Sequence, residues 1–179
     1  MARYAAGDEV AFQRLFAILA PRVRAFFLRS FSDTAVADDL MQTTFLRLHR
    51  ARASYREDLP LKPWVFTIAA SVRRDELRRR YRLPPHVGEP ELEQAESNVS
   101  NGHTENGFGN DRTDAVRAAV MRLPETQRVV LHLHCYEGLT FDQIAQALGT
   151  TSGAVRVRAS RAYERLREEL RPELGKGLR

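Results

Sequence analysis

An all-α protein in two parts is what the sequence predicts, and three features carry that reading. Apolar residues recur at helical spacing through residues 7–82 and again through 112–170. No strand-period stretch competes in the first block, and a polar, acidic stretch separates the two. Residues 1–82 are therefore expected to form a three-helix bundle and residues 112–179 a four-helix domain ending in a helix-turn-helix, with 83–111 as a flexible linker.

In the front block, Asp8 is placed to start a helix carrying Val10, Phe12, Leu15, Phe16 and Leu19. Pro21 has no amide hydrogen and should end or kink that helix, after which Val23, Phe26, Phe27 and Leu28 continue the pattern. Ser32 or Asp33 caps a second helix. Its stripe is Val36, Leu40, Met41, Thr44, Phe45 and Leu48, and its outer face holds Asp38, Asp39, Gln42, Arg47 and Arg50. A polar, Pro-bearing loop over 51–63 leads to a third helix beginning near Trp64, with Val65, Ile68, Ala69 and Val72 inside. Trp64 opens that apolar stripe and is read as a core residue. The helix ends in a dense basic run: Arg73, Arg74, Arg78, Arg79, Arg80 and Arg82.

The stretch 83–111 is rich in Pro, Gly, Asn, Ser and Glu, with almost no apolar period. Its 29 residues could extend to roughly 100 Å, or average roughly 30 Å as a coil. A nonspecific solubilising spacer would have the same composition.

In the rear block, Ala115, Val116, Ala119, Val120 and Leu123 share one helix, and Pro124 sits at the first turn of the next, which carries Val129, Val130, Leu131 and Leu133. Thr140 with Gln143 forms a capping box for a third helix, with Ile144, Ala145 and Leu148 inside and Gly149 as its left-handed stop. Thr150, Thr151 and Ser152 offer cap oxygens to a fourth. There Val155, Ala159, Ala162 and Leu166 take the inner face; Gly153, Val157, Ser160 and Arg161 lie opposite, with Arg156 and Arg158 on the flanks. Small, neutral or basic side chains on an outer face suit the DNA major groove, where Arg meets guanine edges and phosphates. A helix, a short turn with Gly and a second helix is the arrangement that does this. A helical hairpin with an accidentally basic face would look similar. The tail from Pro172 is expected to fray.

Charge and composition narrow the function. Residues 1–82 carry 16 Lys/Arg against 9 Asp/Glu, 83–111 carry none against 6, and 112–179 carry 12 against 8. Two basic blocks around an acidic strip fit a polyanion touched at two places. No apolar run approaches a membrane span and no signal peptide opens the chain, so membrane insertion is not expected. A single Cys135 rules out an internal disulfide and suits a cytoplasmic location. His132 and His134, two apart on a helix, lack the spacing of paired metal ligands, and Cys135 reads as a small packed residue. No metal, cofactor or small-molecule substrate is expected. No Walker loop, nucleophile elbow, Cys-x-x-Cys or paired carboxylates argue for an enzyme.

Three longer stretches carry a resemblance. ADDLMQTTFLRLHRAR at 37–52 and KPWVFTIAASVRRDELRRR at 62–80 resemble region 2 of extracytoplasmic-function (ECF) sigma factors. RLPETQRVVLHLHCYEGLTFDQIAQALGTTSGAVRVRASRAYERLR at 122–167 resembles their region 4, in the family's order and without the extra regions of larger sigma factors. The resemblance implies a subunit that binds core RNA polymerase and directs it to promoter DNA. By that likeness Asp39, Leu40, Gln42, Phe45, Leu46 and Arg47 dock on a coiled coil of the polymerase clamp, although Asp39 alone reads as a solvated face and Phe45 as core. Tyr55, Ser71, Arg73, Arg74, Arg78 and Arg79 fall where the family opens and reads the −10 element, with Tyr55 open to either packing or base contact. Ser152, Gly153, Ala154, Arg156, Val157, Arg158, Ser160 and Arg161 fall where it reads the −35 element. Ala70-Ser71 stands where the family commonly has Arg-Asn, at the position that often helps read the −10 bases. An anti-sigma factor is an implied partner, and the acidic linker suits a path near the polymerase's RNA exit. The alternative is a helix-turn-helix regulator whose front block senses or dimerises.

Overall fold

The computed structural model describes residues 1–82 and 111–175, and every regular element among them is helical. The front block holds α1 (Ala2–Ala5), α2 (Glu9–Phe31), α3 (Thr34–Ala51) and α4 (Leu61–Tyr81), with a 3-10 turn at Arg52–Ser54. The rear block holds α5 (Asp111–Arg122), α6 (Glu125–Leu131), α7 (Phe141–Leu148) and α8 (Ser152–Gly175), with a wide π turn at His132–Tyr136. The expected linker lies outside the described residues except for Asp111, which starts α5.

Local chemistry sets most of the boundaries. Asp8 accepts a hydrogen bond from the Ala11 amide at 2.9 Å, and Asp33 one from Val36 at 3.1 Å, so α2 and α3 both begin on a carboxylate cap. Ser32 belongs to the preceding helix, as its left-handed C-terminal residue with φ 56°. Thr140 and Gln143 form the reciprocal capping box of α7, and Gly149 ends it at φ 67°. Thr151 caps α8 by accepting from the Ala154 amide at 3.2 Å.

Several expectations need correcting. Pro21 does not end α2, which runs unbroken from Glu9 to Phe31. Pro21 and Ala17 are both exposed, so water can serve the carbonyl that Pro21 cannot. Likewise α8 passes through Pro172 to Gly175. The third helix starts at Leu61, three residues before Trp64, and Trp64 is half-buried at the core's edge. The short α1 was not foreseen; its Tyr4 is buried, stacks on Phe12 and meets His49 Nδ1 at 2.7 Å.

The two blocks do not stand apart. Val23, Phe26 and Phe27 of α2, and Phe66, Ala69 and Ala70 of α4, share one apolar core with Val129, Val130, Leu133, Ile144, Ala145, Leu148, Val155 and Ala159 of the rear block. Helix α4 buries residues 69, 70, 72, 73, 76 and 77 along one broad face, which meets α3 toward one edge and α7 toward the other. A smaller cluster of Leu123, Leu131 and Ala162, with Leu166 against it, closes the rear block on its far side.

Candidate nucleic-acid interface

Helix α8 presents two unlike faces. Val155, Ala159 and Ala162 are buried, while Gly153, Arg156, Val157, Ser160 and Arg161 are exposed, Val157 at 48 %. Ser152 and Ala154 are half-buried, and the Ser152 hydroxyl donates to the Asp142 carboxylate, fastening the start of α8 to α7. A methyl group on Gly153 would meet nothing nearer than Thr151 Oγ1 at 3.9 Å. The protein's own packing therefore does not require glycine there, and the small residue leaves room for an approaching surface. Arg158 is a correction: it is 3 % exposed and engaged within the protein. It stands three residues past Val155 and four before Ala162, so it turns inward with them.

Helix α3 splits the docking set. Asp39, Gln42 and Leu46 are exposed, Leu46 at 60 %, whereas Leu40 and Phe45 are buried in the protein's own core. Arg47 is half-buried, donating to Asp75 at 2.7 Å and to the Ser71 hydroxyl at 3.3 Å. Phe16 is an apolar member that sequence reasoning placed inside: it packs on Phe45 with ring centroids 4.6 Å apart, yet is 38 % exposed. Its position on α2, away from the motif on α3, hid it.

The expected −10 residues are for the most part occupied. Tyr55 packs edge-on against Trp64 at 5.0 Å, and its hydroxyl donates to the Leu59 carbonyl at 2.7 Å. Arg79 and Arg80 both donate to Glu76. Burial raises the Glu76 carboxyl, but the hydrogen bonds from Arg79 and Arg80 outweigh it and hold that group below the ordinary carboxylate range. Arg78 is half-buried, 3.5 Å from Asp75. Arg73 has no exposed surface and donates through Nε and Nη2 to both carboxylate oxygens of Glu125 on α6. Arg74 donates to the Leu148 carbonyl at the C-terminus of α7, 2.7 Å away.

Other polar links join the blocks. Arg22 on α2 donates to Glu137 at 2.8 Å and to the Tyr136 carbonyl at 3.1 Å. Arg128 reaches the Ser30 carbonyl at 3.2 Å. His132 sits in the π turn between the Phe26 and Tyr136 rings, its Nε2 3.5 Å from Glu137 Oε1. Burial pushes the His132 imidazole below its ordinary range, and Glu137 only partly offsets that. His134 Nδ1 lies 3.0 Å from the Leu139 carbonyl, and Cys135, exposed rather than packed inside as expected, has its Sγ 3.3 Å from the Tyr163 hydroxyl. Among the described residues no group of three His, Cys, Asp or Glu side chains is placed to hold a metal ion. Among the described residues no helix is long and apolar enough to cross a membrane.

A capped helix-turn-helix with its second helix open on one face, set against a helical bundle ending in arginines, defines a DNA-binding protein of the helix-turn-helix class. Comparison with known proteins narrows it. Sigma-70 region 2 matches residues 15–83, and Sigma-70, region 4 matches residues 113–166. The RNA polymerase sigma factor CarQ of Myxococcus xanthus is 34 % identical over 174 residues, covering 95 % of each chain. The ECF RNA polymerase sigma factor RpoE of Cereibacter sphaeroides is 30 % identical over 172 residues, covering 91 % of this chain and 88 % of that one. Among solved structures, the sigma factor RpoE in complex with the anti-sigma factor NepR from Bartonella quintana is similar at a TM-score of 0.68. That match covers 90 % of this chain and 97 % of the other at 26 % identity. The chain belongs to the ECF RNA polymerase sigma factors, with sigma-70 regions 2 and 4. It is not an enzyme; proteins of this family bind core RNA polymerase and promoter DNA and direct promoter-specific transcription initiation.

Proposed function

We propose that residues 1–82 and 112–179 divide the work of a sigma factor between them, the front block gripping core polymerase and opening the −10 element, the rear block reading the −35 element. The observation that supports this best is the face of α8. Gly153, Val157, Ser160 and Arg161 are exposed together on a helix whose start is fixed by Thr151 and by Ser152 on Asp142. Small residues let the backbone approach the base pairs, and Arg156 and Arg161 supply cations for guanine edges or phosphates. Asp39 and Gln42 beside Leu46 and Phe16 give α3 and its neighbour an acidic, amide-bearing edge with apolar anchors, which suits an Arg-rich helix of the clamp. Arg73, Arg74, Arg78 and Arg79 are the cations for the opened strand.

We further assign to this chain an anti-sigma partner, by likeness to the relative solved with one, and a cytoplasmic site of action, as the proposed work on polymerase and promoter DNA requires. The test is transcription in vitro from genomic DNA with core polymerase alone and with the chain added. Transcripts from a discrete set of start sites are the expected result. A chain that binds DNA but leaves polymerase initiation unchanged would mark an ordinary helix-turn-helix regulator instead.

A further inference from the structure

We infer that α1 braces the loop that follows α3, with Tyr4 as the positioning residue: its hydroxyl, set on His49, fixes the root of residues 55–60 for capture of the opened −10 strand. This rests on the −10 role proposed above for the front block, in which Tyr55 is the loop's own residue. Short as it is, α1 is tied down on two sides. Gly7, at φ 96°, makes the left-handed turn that folds α1 back on α2. The Asp8 amide donates to the Arg3 carbonyl at 2.9 Å, and the Asp8 carboxylate caps α2 with one oxygen while accepting from Arg3 Nε on the other. Tyr4 is 4 % exposed, with its ring stacked on Phe12 at 4.9 Å. Covering Phe12 needs only a phenyl ring. The hydroxyl has a separate partner, His49 Nδ1 at 2.7 Å, in the last turn of α3. Burial holds the phenol above its ordinary range, and the charge of nearby Arg52 offsets that only in part, so the hydroxyl keeps its proton at neutral pH.

From His49 a ladder of bonds steps three residues at a time into the loop. The His49 carbonyl accepts from the Arg52 amide and from Arg52 Nη1, the latter at 2.7 Å. The Arg52 carbonyl accepts in turn from the Tyr55 amide at 3.4 Å. Tyr55 then closes the loop, its hydroxyl on the Leu59 carbonyl and its ring edge-on to Trp64. The 3-10 turn in the middle of this ladder lies against α1. Arg56, Asp58 and Leu59 are exposed beyond it, Leu59 at 47 %. A loop ordered before it meets the strand gives up less freedom on binding. The benefit is bounded by the contact that supplies it, since Tyr4 can favour the ordered loop by no more than its hydroxyl bond contributes.

Trp64 is the single tryptophan, so its quenching by acrylamide reports the loop in the full, unlabelled chain. Tyr4→Phe keeps the ring on Phe12 and removes only the hydroxyl. The probes are a single-stranded oligonucleotide with the −10 segment of a promoter that the transcription assay defines, and a duplex with its −35 segment. Easier quenching of Trp64 is expected, with −10 strand affinity lowered about three- to tenfold, the worth of one hydrogen bond, and −35 duplex affinity unchanged. His49→Ala should reproduce the loss, and adding Tyr4→Phe to it should cost nothing more. Additive losses would overturn transmission through His49, and unchanged quenching in Tyr4→Phe would overturn the brace. Val36→Ala trims the core near the other end of α3 and controls for stability. Strand affinity that fell equally in Val36→Ala, at the same loss of thermal stability, would reduce Tyr4 to packing and overturn the inference. Tyr55→Ala separates the inference from the reading beneath it. If Tyr55→Ala weakens strand binding and Tyr4→Phe does not, the brace fails alone; if neither does, the loop's −10 role fails with it.

Discussion

Arg73 and Glu125 stand 52 positions apart in the chain and form a buried ion pair that spans the two blocks. An ion pair of this kind adds little net stability over apolar packing, because both charges lose their hydration, but losing one partner leaves the other stranded. Arg73→Met keeps much of the side chain's length and removes the guanidinium. The stranded Glu125 carboxylate then costs about 3–5 kcal/mol in the closed form. That cost is relieved by opening rather than by unfolding either block, since water can reach Glu125 once α6 leaves α4. Calorimetry should accordingly show one cooperative transition for the parent chain and two for the variant. A single transition merely shifted downward would mean that the blocks cannot part without unfolding.

His132 makes the same contact sensitive to pH. Facing it are Glu137 and Tyr136 from its own turn and Arg22 and Arg29 from α2. Burial and the two arginines disfavour its charged form, so its pKa in the closed form lies below the ordinary value. The opened or unfolded chain therefore takes up the proton first as pH falls through about 6.5. The stability that neutral His132 contributes is complete above that pH and drains away below it. Glu137 is also depressed: burial raises it, but contact with His132 and Arg22 wins. Its contribution holds above about 4.3 and is lost only at more acid pH. Denaturant midpoints should thus fall between pH 7 and 5, and His132→Phe should flatten that part of the profile. A slope retained in the variant would place the titrating group elsewhere.

The helices of both blocks were legible because their causes are local. Asp8, Asp33, the Thr140–Gln143 box and Gly149 each act within a turn or two of chain. The open face of α8 followed from the same periodicity. Arg158 did not, since a flank position three residues from Val155 reads as outside or inside depending on what packs there. Arg73 and Arg74 lie in a basic run that looks like any solvated helix end. Their partners are a glutamate 52 residues on and a helix terminus 74 residues on, and no spacing rule links residues that far apart. Helix α4 did carry a clue. The run 69-AASVRR-74 spreads small and apolar side chains over a broad face, wider than a narrow stripe against a single helix needs.

The inward turn of Arg158 separates it from its neighbour Arg161. Arg158→Ala deletes a buried, engaged side chain and should lower the stability of the rear block by about 1–3 kcal/mol. Its duplex binding, measured where the variant is fully folded, should stay near that of the parent chain. Equal loss of −35 binding in Arg158→Ala and Arg161→Ala, with neither destabilised, would put Arg158 on the DNA face after all.

Asp39 and Arg161 provide the complementary pair, both exposed and on opposite blocks. Arg161→Ala should weaken −35 duplex binding by about 1–3 kcal/mol if the guanidinium meets a guanine edge, and less if it meets only phosphate. Its affinity for core polymerase through the front block should be largely kept. Asp39→Ala should do the reverse, weakening polymerase binding while leaving the isolated chain's −35 affinity alone. Being exposed, Asp39 should also leave thermal stability within about 0.5 kcal/mol of the parent. Titration of each variant against core polymerase and against labelled duplex, in one buffer of stated salt, separates the two effects. If both variants lost the same activity to the same degree, the division of labour between α3 and α8 would fail.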